Sequence, residues 1–210
     1  MTTRNYYTCD ETQGQANVVQ CIPDGEDGYV IELDETLFHP QGGGQPSDGG
    51  TIDGVPVQRV FADGDTVWHR TATPVAPGPV TLSVDGELRH LHARWHSAGH
   101  LIGSAGETFG WQPVKAHHWP GEGRITFAPS EGHSLPDAQS LLMKIRAWQT
   151  ENLPRYVTFE NGLRYIGFGH LPSYPCGGTH VTELSEIKLV MITQVKMKKG
   201  QLVVNYALPS

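Results

Sequence analysis

Two histidines, His96 and His100, stand four positions apart in a stretch whose apolar residues follow helical spacing. On an α-helix, side chains at positions i and i+4 project from the same face, about one turn apart. Two imidazoles placed in this way can bind one metal ion, as they do in the helical zinc motif of metalloproteases. A polar helix face rich in histidine would give the same pattern, so the pair alone only indicates a metal site.

A second pair strengthens the metal hypothesis. Cys176 and His180 are also four positions apart, and two of the residues between them are glycines. Glycines allow a flexible turn that can aim both side chains at one point, and Pro172 and Pro175 stiffen its approach. Three imidazoles and a thiolate form a tetrahedral donor set that suits zinc better than magnesium or calcium. The alternative is a glycine-rich surface turn that carries an unrelated cysteine.

A third stretch is rich in glycine: Gly42, Gly43 and Gly44 follow one another and precede Gln45. Consecutive glycines leave several backbone N–H groups uncovered, so that a ligand can approach them closely. Proline residues on both sides argue against a flexible linker, although a simple turn remains the alternative.

Composition favours a β-rich, cytoplasmic protein. The 210 residues include 25 glycines and 15 prolines, which predicts many turns. The three cysteines, Cys9, Cys21 and Cys176, are too few and odd in number for a disulfide scaffold. No stretch has the length and apolarity of a signal peptide or a membrane span.

The formal net charge of −7 counts against a nucleic-acid partner, because phosphate binding usually needs a basic surface. The charge is uneven, however: the first 88 residues are acidic, and most lysines and arginines follow them. Such asymmetry permits a local basic face, and therefore an RNA partner, within an acidic total.

The elements that must position these residues fall into two parts: a first part of strands, and a second part of strands and helices. Together they predict an α+β fold. Short alternating runs and Asp-Gly turns in residues 1–86 indicate a small N-terminal β-barrel domain that carries the glycine-rich loop. The predicted strands there are residues 5–9, 17–22, 29–33, 50–52, 55–61, 66–69 and 80–84.

Residues 87–210 form the second predicted domain. A helix over residues 87–109 carries the histidine pair, and its stripe includes Leu91, Trp95, Ala98 and Ile102. A second helix is predicted over residues 136–150. Further strands are predicted at 112–119, 124–127, 155–160, 163–166, 186–195 and 202–207, which gives a sheet with helices on one side.

The three motifs together, in this order, resemble the editing region of alanyl-tRNA synthetase and its free-standing relatives, the AlaX proteins. The stretches that carry the resemblance are the histidine pair, CGGTHV and TLFHPQGGGQPSDGG. The resemblance covers nearly the whole chain. It implies a β-barrel domain followed by a two-layer α/β zinc-binding editing domain.

The implied activity is hydrolysis of the ester bond of mischarged tRNA, with Ser- or Gly-tRNA(Ala) as the expected substrates. The implied zinc ligands are His96, His100, Cys176 and His180. The first three are expected to be firm ligands, and His180 is either a fourth ligand or one that yields to water or substrate. A second hydrolytic site is needed because a binding pocket cannot strongly reject a competitor that differs by one small group. The oligomeric state, monomer or dimer, is left open.

The remaining site residues are expected to contact the substrate. Catalytic roles are predicted for Gly42, Gly43, Gly44, Gln45, Lys115 and His117, and substrate binding for Phe38, His39, Gly99 and His118. Backbone donors aimed at a developing oxyanion would be a large catalytic contribution. The tRNA contacts are expected from Arg89, Arg94, Arg155, Lys196, Lys198 and Lys199.

Two departures from the family pattern affect the substrate. The synthetases commonly carry threonine where this chain has Gly99, and their glutamine-containing strand is replaced by a segment with Lys115, His117 and His118. A larger pocket or a lost hydroxyl contact would follow, which keeps a threonine-like amino acid on tRNA(Thr) as an alternative. A hydrolase of small amino-acid esters and a non-catalytic zinc-stabilised RNA-binding module are alternatives of other classes.

Overall fold

The computed structural model describes residues 1–25 and 27–209. In this part of the chain the fold is α+β, as predicted: mostly β-sheet with two α-helices. The chain divides into two compact units. The first contains Met1–Gly42 and Pro46–His90, and the second contains Gly43–Gln45 together with the chain from Leu91 onward.

The first unit is built on six antiparallel strands that close on themselves in the order β2-β3-β7-β6-β5-β8. A short parallel pair, β1 with β4, lies beside them. The strands are β1 (Thr3–Arg4), β2 (Gln13–Pro23), β3 (Tyr29–Leu33), β4 (Glu35–Thr36), β5 (Gly50–Ile52), β6 (Val55–Asp63), β7 (Thr66–Thr71) and β8 (Gly78–Val84).

Tight turns fix the register of these strands. Asp53 and Gly54 both have positive φ, 48° and 79°, between β5 and β6. Two consecutive residues of positive φ twist in the sense of the flanking strands, which is why Asp-Gly predicts a hairpin. Gly64, with φ 56°, supplies the corresponding turn between β6 and β7. Both hairpins expected from the sequence are confirmed, and the alternating side chains fill one core beneath them.

The second unit has two sheets. Strands β9 (Trp111–His117), β10 (Arg124–Pro129), β14 (Met191–Lys198) and β15 (Gln201–Ala207) form an antiparallel sheet in the order β14-β15-β10-β9. Strands β11 (Arg155–Glu160), β12 (Leu163–Phe168) and β13 (Tyr174–Pro175) form the other.

Two helices accompany these sheets. Helix α1 (Gly86–Glu107) begins in the first unit and continues into the second, and its predicted apolar stripe lies in the core with Trp95, Ala98 and Ile102. Helix α2 (Ala138–Glu151) is capped by Asp137, whose carboxylate accepts a hydrogen bond from Ser140 N at 2.7 Å. Within the described residues, no helix is both long and apolar enough to span a bilayer.

One predicted strand is wrong and another is wrong in part. No residue of 5–9 is in a strand. Asn5–Tyr7 is a 3-10 helix, because the amides of Thr8 and Cys9 both donate to the carbonyl of Asn5 instead of pairing with a strand. Leu184–Ile187 is also a 3-10 turn, and β14 starts only at Met191. A reciprocal cap by Glu183 and Glu186 stabilises that second turn.

Candidate metal centre

The two predicted motifs meet at one point in the second unit. The donor atoms of His96, His100, Cys176 and His180 all lie within 4.8 Å of one another. Helix α1 supplies the first two, and the turn after β13 supplies the others. The Cys176 Sγ atom is 3.4 Å from His96 Nε2 and 3.2 Å from His180 Nε2. Ligands of a tetrahedral zinc ion are separated by roughly 3.3–3.8 Å, and the two separations from the Cys176 sulfur are close to that range.

Two of the histidines are oriented by hydrogen bonds on their far side. Gln45 Oε1 accepts from His96 Nδ1 at 2.7 Å, and Ser97 Oγ lies 3.0 Å from His180 Nδ1. An imidazole that donates through Nδ1 keeps a lone pair on Nε2, which is the atom that approaches Cys176 in both rings. Partners of this kind fix the tautomer and the direction of metal-ligating histidines.

Burial favours the neutral forms of His100, His180 and Cys176. It lowers the pKa of His100 to about 3, with Arg164 adding to the effect, and it lowers the pKa of His180 well below its usual value. Burial also raises the pKa of the Cys176 thiol to about 11. Neutral imidazoles have the lone pairs that a metal ion needs. A bound cation would favour the thiolate, and binding would therefore release a proton.

The turn that carries Cys176 and His180 depends on close packing. A Cβ atom at Gly178 would lie 2.2 Å from Cε1 of His96 and 2.7 Å from Gln45 Oε1, so only glycine fits there. Arg164, a buried residue of β12, donates from Nη1 to the carbonyls of Cys176 and Gly178, at 3.0 and 2.8 Å. Sequence reasoning did not identify Arg164, since no local motif connects it to the turn.

A cavity of about 310 Å³ opens beside three of the four donor residues, His96, His100 and Cys176. Such a volume is at the small end of the range for ligand-binding cavities in proteins. It is lined by the described residues Gly43, His96, Gly99, His100, Gly103, Pro113, Val114, Lys115, Ala116, His118, Ile125, Tyr174, Pro175, Cys176 and Gly177. The donor set therefore borders a space that could accept a small molecule.

The glycine-rich loop contributes through its last residues. Gly43 lines the cavity, and Gly44, with φ 78°, packs so closely on β9 that a Cβ atom would lie 2.7 Å from Ala116 O. Gln45 is fully buried and donates from Nε2 to Thr179 Oγ1 at 2.9 Å, while its Oε1 accepts from Thr179 N and from His96. These are the contacts of a positioning residue, and direct action of Gln45 on a substrate stays a prediction.

Three other predicted loop residues belong to the first unit. Phe38 lies in its hydrophobic core, with its ring edge-on to His69. His39 is buried, and its amide donates to Asp48 Oδ2 at 2.7 Å. Gly42 is exposed. Substrate contact by these residues stays a prediction.

The β9 residues separate into two groups. Lys115 and His118 line the cavity, and a Cβ atom at Gly99 would lie 2.2 Å from His118 Cε1. His117 does not line the cavity. Its Nε2 lies 3.1 Å from a carboxylate oxygen of Glu122.

One of the predicted RNA contacts is wrong. Arg89 is buried and forms a salt bridge with the buried Asp48, and its guanidinium also donates to the carbonyl of Leu37. A buried, paired arginine cannot reach a phosphate. Arg94 and Arg155 are half-buried and donate to the carbonyls of Ile187 and His180, whereas Lys196, Lys198 and Lys199 are exposed.

The orientation of His96 gives a testable prediction. Replacing Gln45 by Met keeps the volume and removes the acceptor of the Nδ1 proton, so the ring loses its fixed direction. We expect zinc affinity to fall ~10–100-fold, the usual cost of losing such a partner. Competition with a chromophoric chelator measures this change. Gln41→Met, at an exposed position of the same loop, is the matched control and should bind zinc as the wild type does. Equal affinities in all three proteins would refute the role of Gln45.

The chain resembles proteins of known name. No protein-family model matches it. It is 33% identical over 166 residues to the alanyl-tRNA editing protein AlaX-M of Pyrococcus horikoshii, across 75% of this chain and 76% of that protein. It is 40% identical over 209 residues to the alanyl-tRNA editing protein Aarsd1 of Bos taurus, across 87% of this chain and 44% of that protein. The corresponding protein of Danio rerio is 31% identical over 189 residues, across 79% of this chain and 45% of the relative. The chain thus spans less than half the length of these two Aarsd1 proteins.

Proposed function

Because this chain belongs to the family of alanyl-tRNA editing proteins, we propose that it is a trans-editing deacylase, which hydrolyses the ester between a wrong amino acid and tRNA. Serine or glycine on tRNA(Ala) is the proposed substrate. The observation that carries the proposal is the meeting of His96, His100, Cys176 and His180 at the edge of a cavity of about 310 Å³. Such an enzyme works in the cytoplasm, where tRNA is charged.

The metal in this proposal is zinc, held by the four donors. Their types and their clustering support it, because sets of nitrogen and sulfur ligands are typical of zinc, and all four donors lie within 4.8 Å of one another. When bound, zinc supplies a Lewis acid beside the scissile ester. A catalytic zinc site keeps one position for substrate or water. Three of the four residues would then hold the metal firmly, and the fourth could give up its position.

The candidate for exchange is His100. Gln45 orients His96 and Ser97 orients His180, whereas no described residue forms a hydrogen bond with the His100 ring. That ring packs edge-on to Tyr174 and His180. This proposal replaces the expectation that His180 would be the weaker ligand.

The cavity lining supplies the other functions. Gly43 lines the cavity and Gly44 follows it in the chain, so their amides could donate to the ester carbonyl, where negative charge develops during hydrolysis. The ammonium group of Lys115 adds positive charge at the cavity edge. The apolar side chains of Pro113, Val114 and Ile125 limit the space beside a small amino acid.

The tRNA is proposed to lie along a basic face of the four-stranded sheet. Lys115, Arg124, Lys196, Lys198 and Lys199 line one shallow depression there. The strand register places two of these lysines in one row. Lys115 pairs with Thr126, Thr126 pairs with Val203, and Val203 pairs with Lys196, so the row crosses all four strands. Lys115 lines both this depression and the cavity, which supports a path for the tRNA end from the basic face to the metal centre.

Deacylation of a panel of charged tRNAs tests the function directly. We expect the wild-type protein to release serine or glycine from tRNA(Ala) and to leave Ala-tRNA(Ala) intact. Cys176→Ala should lose both zinc and activity, because the thiolate is one of the four ligands. Cys21→Ala, in β2, is the matched control and should keep both.

The panel also separates the alternatives. Release from tRNA(Thr) alone would move the substrate to a threonine-like amino acid. Hydrolysis of small amino-acid esters without inhibition by tRNA would indicate an esterase. A folded, zinc-loaded protein that releases no amino acid would refute the deacylase and leave the RNA-binding module.

A salt titration tests the basic face. Each phosphate contact contributes ~1 to the slope of log affinity against log salt concentration. The variant Lys196→Ala/Lys198→Ala/Lys199→Ala should therefore bind tRNA more weakly, with a slope reduced by ~2–3 and a raised KM at unchanged kcat. Lys144→Ala/Arg146→Ala, which removes two charges at exposed positions of α2, is the control and should keep the slope of the wild type. An unchanged slope in the triple variant would place the tRNA elsewhere.

A further inference from the structure

The ring of His118 occupies the place where a side chain at position 99 would lie. A Cβ atom on Gly99 would lie 2.2 Å from His118 Cε1 and 2.4 Å from His118 Nδ1. No residue with a side chain can therefore stand at position 99 while His118 keeps this position. Gly99 therefore does not leave an empty pocket, because the imidazole ring of His118 fills the space that a side chain at position 99 would occupy.

A buried tyrosine fixes the proton of this imidazole. The Tyr206 hydroxyl donates to the carbonyl of Trp95 at 2.9 Å, and it lies 2.8 Å from His118 Nδ1. A phenol has one proton, and the carbonyl can only accept it. The contact with His118 must then be donated by the imidazole, so Nδ1 carries the hydrogen and Nε2 carries a lone pair.

The rest of the surroundings hold the ring in place. It stacks on His96 with 4.2 Å between ring centroids, and the backbone amide of His118 donates to the carbonyl of Gly44 at 2.8 Å. The ring lines the cavity beside the metal centre. No hydrogen bond from Nε2 to a described residue is present, so this acceptor is available to a molecule in the cavity.

We propose that His118 determines the amino-acid specificity of the site, by accepting a hydrogen bond at Nε2 from the hydroxyl group of a serine ester. The proposal rests on the deacylase function and narrows it to one substrate. Alanine has no hydroxyl, so an alanine ester would exclude water from Nε2 and give it no partner. A site that leaves a buried polar atom unpaired discriminates strongly against the analogue that lacks the group.

The proposal distinguishes serine from glycine as well as from alanine. Glycine also lacks a hydroxyl, so Ser-tRNA(Ala) should be hydrolysed faster than Gly-tRNA(Ala). Tyr206 is a positioning residue in this scheme, because it acts only through the tautomer and direction of the His118 ring.

The test compares kcat/KM for Ser-, Gly- and Ala-tRNA(Ala). His118→Phe keeps a flat ring against Gly99 and removes the acceptor. We expect the preference for serine over alanine to fall ~100-fold or more, with zinc content and thermal unfolding unchanged. Tyr206→Phe should lower the same ratio ~10-fold, since the ring then loses its fixed hydrogen. His170→Phe, at an exposed position outside the cavity lining, is the control that should keep the ratio.

Binding gives a readout that does not depend on turnover. Calorimetric titration with the non-hydrolysable 3′-amide analogues of seryl- and alanyl-adenosine should show tighter binding of the seryl compound to the wild type, and near-equal binding to His118→Phe. Equal losses for all three amino acids in His118→Phe would mean that His118 holds the ester or the amino group, and would overturn the proposal. So would an unchanged ratio. A wild type that releases no amino acid would instead refute the deacylase function itself.

Discussion

The carboxamide of Gln45 connects three segments that lie far apart in the sequence. Its oxygen accepts from His96 on α1 and from the amide of Thr179, and its nitrogen donates to the Thr179 hydroxyl. One buried side chain therefore fixes the relative positions of the end of the glycine-rich loop, helix α1 and the turn that follows Cys176. Since Gln45 is fully buried, each of these bonds is protected from competition with water. The direction of His96, and with it the geometry of the donor set, depends on this group.

Burial around the centre has a consistent electrostatic effect. It favours the neutral forms of His100 and His180 and the protonated thiol of Cys176 until a cation binds, so the site is suited to a metal ion and not to a free nucleophilic thiolate. The four-stranded sheet then carries the remaining chemistry. His118 follows the edge strand β9 and lines the cavity. Tyr206, on the inner face of the sheet, lies 2.8 Å from the His118 ring. The lysines lie on the outer face, in the depression that Lys115 shares with the cavity.

Much of the fold follows from local sequence patterns. Asp-Gly turns predict the hairpins, and the apolar stripe predicts helix α1. Two pairs of metal-binding residue types, each spaced i and i+4, predict the donor set. The errors have local causes: a cap between Glu183 and Glu186 favours a turn where apolar residues suggested a strand. The charge of Arg89 predicted a surface residue, although a buried partner such as Asp48 can hold an arginine in a core.

The contacts that refine the site could not be predicted in this way. The packing of His118 against Gly99 depends on how β9 lies against α1, and the bond to Tyr206 joins residues 88 positions apart. Arg164 is placed by the pairing of β12 with β13, which no periodicity reveals. Sequence patterns identify residues by type and spacing, whereas these partners are brought together only by tertiary packing.

X-ray absorption at the zinc edge of the purified protein tests the central claim most directly, because it identifies the atoms bound to the metal. The account predicts a first shell of three imidazole nitrogens and one sulfur, and the loss of one imidazole when the amide analogue of seryl-adenosine is added. A shell without sulfur, or zinc bound elsewhere in a protein that still deacylates tRNA, would contradict it.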